Sequence, residues 1–123
     1  MIVLSTLSDT LSVKLDVACQ LLIHSSCFDV INGATLPVRF NYIVNTTDKT
    51  VVVPAPRPST QRQIIFFSVH NDDNVSTSFS IFHTDGTAEV KLWNGTLGEG
   101  ETMVLGKDSR WSLYRLNGSP KYS

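Results

Sequence analysis

The sequence predicts an all-β fold, a two-sheet antiparallel β-sandwich of jelly-roll-like form with eight or nine short strands. Three observations lead there. Apolar and polar residues alternate in segment after segment, as in Leu11-Ser12-Val13-Lys14-Leu15-Asp16-Val17, the period of a strand with one buried face. Turn-forming residues recur about every 8–12 positions, the spacing of a sandwich or barrel. The most apolar run lies within Thr60–Asn71; it is rich in β-branched and aromatic types and too short to cross a bilayer.

That run organises the rest. Strict alternation puts Ile65, Phe67 and Val69 on one face and Ile64, Phe66 and Ser68 on the other. Apolar groups on both faces describe a central strand. Pro54-Ala55-Pro56-Arg57-Pro58-Ser59 precedes it and Asn71-Asp72-Asp73-Asn74 follows, both compositions that turn a chain.

In chain order, residues 1–7 form an apolar arm in which Ile2, Val3, Leu4 and Leu7 follow no period. Such an arm either covers the domain's own sheet or packs on a neighbour; terminal apolar residues call for a partner, so these four are candidate protein-interface residues. A single β-sandwich domain spans 8–117, and 118–123 is a tail without pattern. The first strand is Leu11–Val17. A second opens at Gln20 and runs to Val30, with Ser25-Ser26 marking a bulge or bend. A helix over 16–23 competes, because Leu15, Ala18, Cys19 and Leu22 fall near helical spacing, but the extended pattern continues through Phe28. Asn32-Gly33 is a tight-turn dipeptide, as are Asn94-Gly95 and Asn117-Gly118. Val38–Asn45 and Lys49–Val53 are the next strands, the latter stopped by Pro54. Beyond the central run come Thr77–His83, Ala88–Trp93, Thr102–Leu105 and Trp111–Leu116, with loops at Gly98–Glu101 and Gly106–Ser109. The expected core is Val13, Leu15, Ile65, Phe67, Val69, Phe79, Ile81, Val90 and Leu92. Trp93 falls on the outward parity of its strand. It is therefore a further candidate contact, to a neighbouring subunit or a sugar ring, unless the second sheet or a loop covers it.

A chain of 123 residues suits one domain. The net charge is -1 and only 17 % of residues are charged, which argues against nucleic acid as the main partner, since phosphate binding needs a basic surplus. Met1-Ile2-Val3-Leu4-Ser5 has neither the basic start nor the apolar length of a secretory signal, and no membrane span is expected, so the protein is expected to be made in the cytosol and stay soluble. Cys19 and Cys27 on one extended strand would lie about 26 Å apart, against the roughly 7 Å a disulfide needs, and read as two buried thiols.

Chemistry finds no foothold. His70-Asn71-Asp72-Asp73 and His83-Thr84-Asp85 look like halves of a metal site, yet in a hairpin the two imidazoles would sit at opposite ends, about 20 Å apart, too far for one ion. Asp72-Asp73-Asn74 lacks the spacing of a calcium loop. Glu99 and Glu101, in a glycine-containing loop, stay ionised in solvent. There is no nucleophile elbow and no nucleotide-binding glycine loop. The expectation is a protein that is not an enzyme, with no catalytic residue, cofactor or metal.

Several local phrases resemble those of small bacteriophage virion proteins, a broad group of capsid decoration, cement and other structural proteins. They are the opening Ser8-Asp9-Thr10-Leu11-Ser12-Val13, the proline loop with its entry Ala55-Pro56-Arg57-Pro58-Ser59-Thr60-Gln61-Arg62-Gln63-Ile64, the strand end Ser68-Val69-His70-Asn71-Asp72, and the closing Thr96-Leu97-Gly98-Glu99-Gly100-Glu101 with Trp111. Phe66-Phe67 and the two cysteines depart from that pattern. The resemblance implies a virion protein made in the host cytoplasm, most simply a trimeric jelly-roll cement protein that sits on the major capsid protein and bridges capsomers. A neck, tail or baseplate subunit is the second reading. A carbohydrate-binding module with Trp93 and Tyr42 as platforms is the third.

Overall fold

Eleven strands and no helix make up the described residues of the computed structural model, 2–106 and 110–122. In chain order they are β1 (Ile2–Leu4), β2 (Thr10–Leu15), β3 (Leu21–Ile31), β4 (Ala34–Val44), β5 (Thr50–Val53), β6 (Gln61–Asn71), β7 (Thr77–Thr84), β8 (Glu89–Leu97), β9 (Thr102–Leu105), β10 (Trp111–Tyr114) and β11 (Pro120–Tyr122). The larger sheet runs β11-β10-β9-β6-β3-β4, with β1 also beside β6; the smaller runs β5-β2-β7-β8. Among the described residues every strand pairing is antiparallel, and the two sheets enclose one apolar core, so the fold is a two-sheet β-sandwich. The two strands beyond the expected nine are β1 and β11, so the segments read as arm and tail belong to the larger sheet. Residues 16–23, the competing helix, are the bend after β2 and the start of β3. Of the loop expected at Gly106–Ser109, residues 107–109 lie outside the described residues.

One turn sets the topology. Asn32 (φ 49°) and Gly33 (φ 80°) both adopt the left-handed conformation, the two-residue type I′ turn whose twist matches the flanking strands. It joins β3 to β4 with Ile31 paired to Ala34, and the ladder runs unbroken to Leu21 opposite Val44. The same fold-back continues outward. β2 pairs with β5 in the smaller sheet, Leu11 opposite Val53, and β1 pairs with β6 in the larger, Ile2 opposite Ile64. Paired residues in all three ladders lie nearly equidistant from Asn32-Gly33. The first half of the chain is thus one long hairpin rolled across both sheets, the construction of a jelly roll.

Strand β6 is central, as its composition requires. β3 lies along one side; on the other, β1 takes its first half and β9 its second. A β-bulge at Ile65 separates these halves, because Phe66 pairs with Ser26 while Ile64 already pairs with Cys27. The bulge changes the strand's parity. Arg62 and Ile64 point inward before it, Phe67, Val69 and Asn71 after it, and Ile65 is only half-buried instead of a core residue.

A second bulge, at Leu92, does the same in β8: Trp93 pairs with Ile81 while Lys91 pairs with Phe82. Trp93 therefore turns inward rather than outward. Its ring lies 5.0 Å from that of Phe79 and stacks at 5.8 Å on Trp111. Leu92 packs against the core as half-buried, but Val90, opposite His83 at the polar rim, is 53 % exposed and is not core. Asn94-Gly95 is not a turn; both residues lie within β8. The glycine is there because a Cβ would overlap the indole of Trp93, with Cζ2 only 2.7 Å away. Val13, Leu15, Phe67, Val69, Phe79 and Ile81 are buried as expected.

Both cysteines are free and buried. Burial pushes the Cys27 thiol up to about 11, and the nearby Arg62 guanidinium offsets only part of that. Burial likewise raises the Cys19 thiol, and the Asp73 charge adds to it. Since the thiolate is the nucleophile, iodoacetamide at about pH 8 should leave Cys27 unmodified in the folded protein and alkylate it readily in denaturant. Peptide mapping that finds Cys27 labelled under native conditions would overturn this.

Candidate functional site

The two outer faces of the sandwich differ in chemistry. That of the smaller sheet carries Lys14, Ser78, Ser80, Asn94 and Thr96, with the Ser78 and Thr96 hydroxyls bonded at 2.8 Å. Its one aromatic, Phe82, lies under the ammonium groups of Lys49 (4.6 Å) and Lys91 (5.8 Å), and Lys49 also pairs with Glu89. This face suits water.

The outer face of the larger sheet is mixed, with large apolar side chains standing among His24, Ser26, Asn41, Gln63, Ser68 and His70. Alternation in β3 sends Leu21, Ile23, Cys27 and Asp29 inward and Leu22, His24 and Phe28 outward. Ile43 joins this face beside Leu22, Val104 beside Ser68, and Phe66 beside Ser26. Val3 of β1 lies on it next to Gln63. Ile43 is 62 % exposed, and Phe66 and Val3 are exposed too; Tyr42, also exposed at this margin, lies opposite the inward Ile23 and so stands on the other side of the sheet.

Near its β4 margin the face dips into a shallow depression of about 390 Å³, lined by Leu22, Ile23, His24, Asn41, Tyr42, Ile43, Ser68 and His70. The two imidazoles there and the Asn41 amide are already engaged. His24 Nδ1 is hydrogen-bonded to Asn41 Oδ1 at 2.6 Å and its Nε2 to the Ser26 hydroxyl at 2.8 Å. His70 Nδ1 and Thr102 Oγ1 are 2.7 Å apart. The lining contains no carboxylate or thiol that could pair with an imidazole for proton transfer or nucleophilic attack. The arrangement suits contact.

At one end of the sandwich a polar depression of about 400 Å³ gathers Asp72, Asp73, Asn74 and Glu99. Its aspartates bind the chain's own groups: Asp72 accepts from the Gln20 amide side chain, and Asp73 from the Gln20 and Asn74 backbone N–H. Asn71, fully buried, ties the loop down by donating to the carbonyls of Val75 (2.9 Å) and Leu97 (3.1 Å). The two histidine segments, His70–Asp73 and His83–Asp85, begin on different sheets rather than in one hairpin. Among the described residues no group of three or more His, Cys, Asp or Glu side chains is placed to hold a metal ion.

The candidate interface residues separate. Leu4 is completely buried in its own domain and Ile2 packs against that core, while Val3 and Leu7 face outward. The arm is also latched. Asp9 Oδ2 accepts from the backbone N–H of Ser5 (2.8 Å) and Thr6 (3.0 Å), and Oδ1 lies 3.4 Å from His83 Nε2. Burial raises the Asp9 carboxyl, but these donors and His83 together outweigh it and hold it below its ordinary 3.8. Leu4→Ala should therefore cost about 2–5 kcal/mol in urea unfolding, whereas Leu7→Ser should stay within about 0.5 kcal/mol. Equal effects would show that the arm is not part of the core.

Trp93, turned inward, is not on any outer surface patch described above. Tyr42, named above as a candidate platform, is exposed; what sequence reading missed is the rest of the β4 margin, where Ile43 stands exposed beside it. Its only signal was a strand pattern that alternated in part, with an internal Pro37. Comparison with known proteins finds no matching family model, no matching curated protein and no matching solved structure.

Proposed function

We propose that this chain is a non-catalytic structural subunit of a bacteriophage virion, a decoration or cement protein that lies on the outer shell and bridges neighbouring capsomers. The observation that carries the assembly reading is the larger sheet's outer face, where Val3, Phe66 and Ile43 stand open to contact among polar side chains, while the smaller sheet's outer face is covered mainly by hydroxyls and lysines. The phage assignment rests on the local phrases that resemble virion proteins, from Ser8–Val13 to Trp111. In this reading the larger sheet faces the major capsid protein and the smaller sheet faces solvent. The protein acts as a homo-oligomer and needs neither nucleic acid nor membrane.

A neck, tail or baseplate subunit would use the same face. The carbohydrate reading loses one of its two platforms, because Trp93 is packed against Phe79 and Trp111, and rests on Tyr42 alone. Quantitative mass spectrometry of purified particles is the test. A copy number on the scale of the capsid protein supports shell decoration; that of a single ring places the chain at the neck or tail; absence from particles overturns the virion reading.

A further inference from the structure

Sheets end in strands whose outer N–H and C=O groups lack partners, and proteins blunt such edges. Among the described residues, four of the five edges are blunted. β1, β5 and β11 are only three or four residues long, and β11 carries Pro120 and Lys121. β8 carries Glu89 and Lys91 and is bent by its bulge. β4 is the exception: eleven residues, no bulge against β3, one charge at Arg39, and exposed Leu36, Tyr42 and Ile43.

The hydrogen-bond phase of β4 follows from its turn. In a two-residue hairpin the flanking residues, Ile31 and Ala34, form a hydrogen-bonded pair, and bonded and non-bonded pairs then alternate. Residues 34, 36, 38, 40, 42 and 44 thus bond to β3. Residues 35, 37, 39, 41 and 43 turn their backbone groups to the free edge. Pro37 falls in this second set, where its missing N–H leaves the β3 ladder intact and interrupts only the outer row. What remains open is a continuous row at Arg39, Asn41 and Ile43.

We infer that this row is a self-association site, where β4 of a second copy adds antiparallel about a two-fold axis at Asn41 and joins two larger sheets into one. The register is chosen by what the alternatives oppose. An axis at Arg39 sets two guanidinium groups against each other, and an axis at Pro37 lacks donors. Axes at Val38 or Phe40 bring Pro37 into the ladder, and axes at Tyr42 or Ile43 carry Arg39 past the strand end at Val44. With the axis at Asn41, Arg39 faces Ile43 of the second copy, Asn41 faces its own mate, and Pro37 lies just beyond the ladder on each side. Phe40 and Tyr42 then meet across the seam on the opposite face, covering the exposed tyrosine. The contact is isologous, so it predicts an even-numbered assembly in place of a trimer. It rests on the sheet edge alone and stands whether or not the chain belongs to a virion.

Sedimentation equilibrium on the purified full chain should show a reversible dimer. Asn41→Pro removes an outward N–H as Pro37 does and should weaken the dimer at least about tenfold, while Thr35→Pro, on the same edge outside the ladder, should leave it unchanged. Asn41→Cys should form an intermolecular disulfide on mild oxidation and Thr35→Cys should not; this arm decides even if Asn41→Pro fails to fold. A monomer at all concentrations, a trimer, an oligomer indifferent to Asn41→Pro, or no cross-link through Asn41→Cys would each overturn the proposal.

Discussion

Arg62→Ala is expected to cost about 3–5 kcal/mol in urea unfolding, enough to remove a large part of a small domain's stability. Arg62 is 6 % exposed and Asp29 8 %, and they are paired directly across β6 and β3. The guanidinium grips both carboxylate oxygens, Nε to Oδ1 at 2.8 Å and Nη2 to Oδ2 at 3.0 Å. Nη1 donates to the Pro54 carbonyl at 2.7 Å, and the ring of Phe40 lies beneath, 4.8 Å away. One side chain thus satisfies a buried charge and holds the start of the proline loop against the sandwich. Truncating it strands the Asp29 carboxylate, and desolvating an unpaired charge is the expensive part. Asp29→Leu combined with Arg62→Met should recover most of the loss, since attraction within a buried pair roughly balances its desolvation. If the single variant costs under about 1 kcal/mol, water reaches the pair and the interior is not sealed there.

Trp93→Ala should cost about 3 kcal/mol, the low end for a large aromatic because the ring is only half-buried. Its partner in this experiment is Gly95. In the native protein Gly95→Ala drives a methyl group into the indole, disturbing the stack on Trp111 and the contact with Phe79, at about 1–3 kcal/mol. Once Trp93 is gone the same change should be neutral or stabilising by up to about 1 kcal/mol, because glycine is a poor strand residue. A double-mutant cycle reads the sign reversal directly. If Gly95→Ala costs the same in both backgrounds, Trp93 does not occupy the space above Gly95. The two tryptophans, Trp93 and Trp111, make fluorescence a second readout.

These two sites also show where sequence reading stops. Sheet class, nine of the strands and the hairpin turn were legible, because Asn32-Gly33 and runs such as Leu11–Val17 state their geometry locally. Burial beyond a bulge was not. Strict alternation carried Ile65 inward and Trp93 outward, and one unpaired residue in each strand, Ile65 and Leu92, reversed the assignment. The same effect hid Arg62, a charged residue that parity alone could not place beside Asp29. Asn94-Gly95 looked like a turn from the dipeptide alone, when the glycine answers to a ring two residues away. As for the contact surface, the free edge of β4 depends on which strands are absent beside it, and no local pattern records that.

The rolled hairpin has a consequence for how the chain assembles. Pairing β1 directly with β6 would close a loop of nearly the whole first half of the chain, a slow and entropically costly search. The Asn32-Gly33 turn removes that search. β3 and β4 can close on a two-residue loop, on the timescale of about 1–10 μs typical of hairpins. This brings β2 and β5 to the two free ends of one structure, and their pairing does the same for β1 and β6, so each closure is short once the previous one exists. All six strands precede Asp72, so a chain emerging amino-terminus first could complete the roll before β7–β11 leave the ribosome. β7 and β9 would then add to ladders already in place, on β2 and β6.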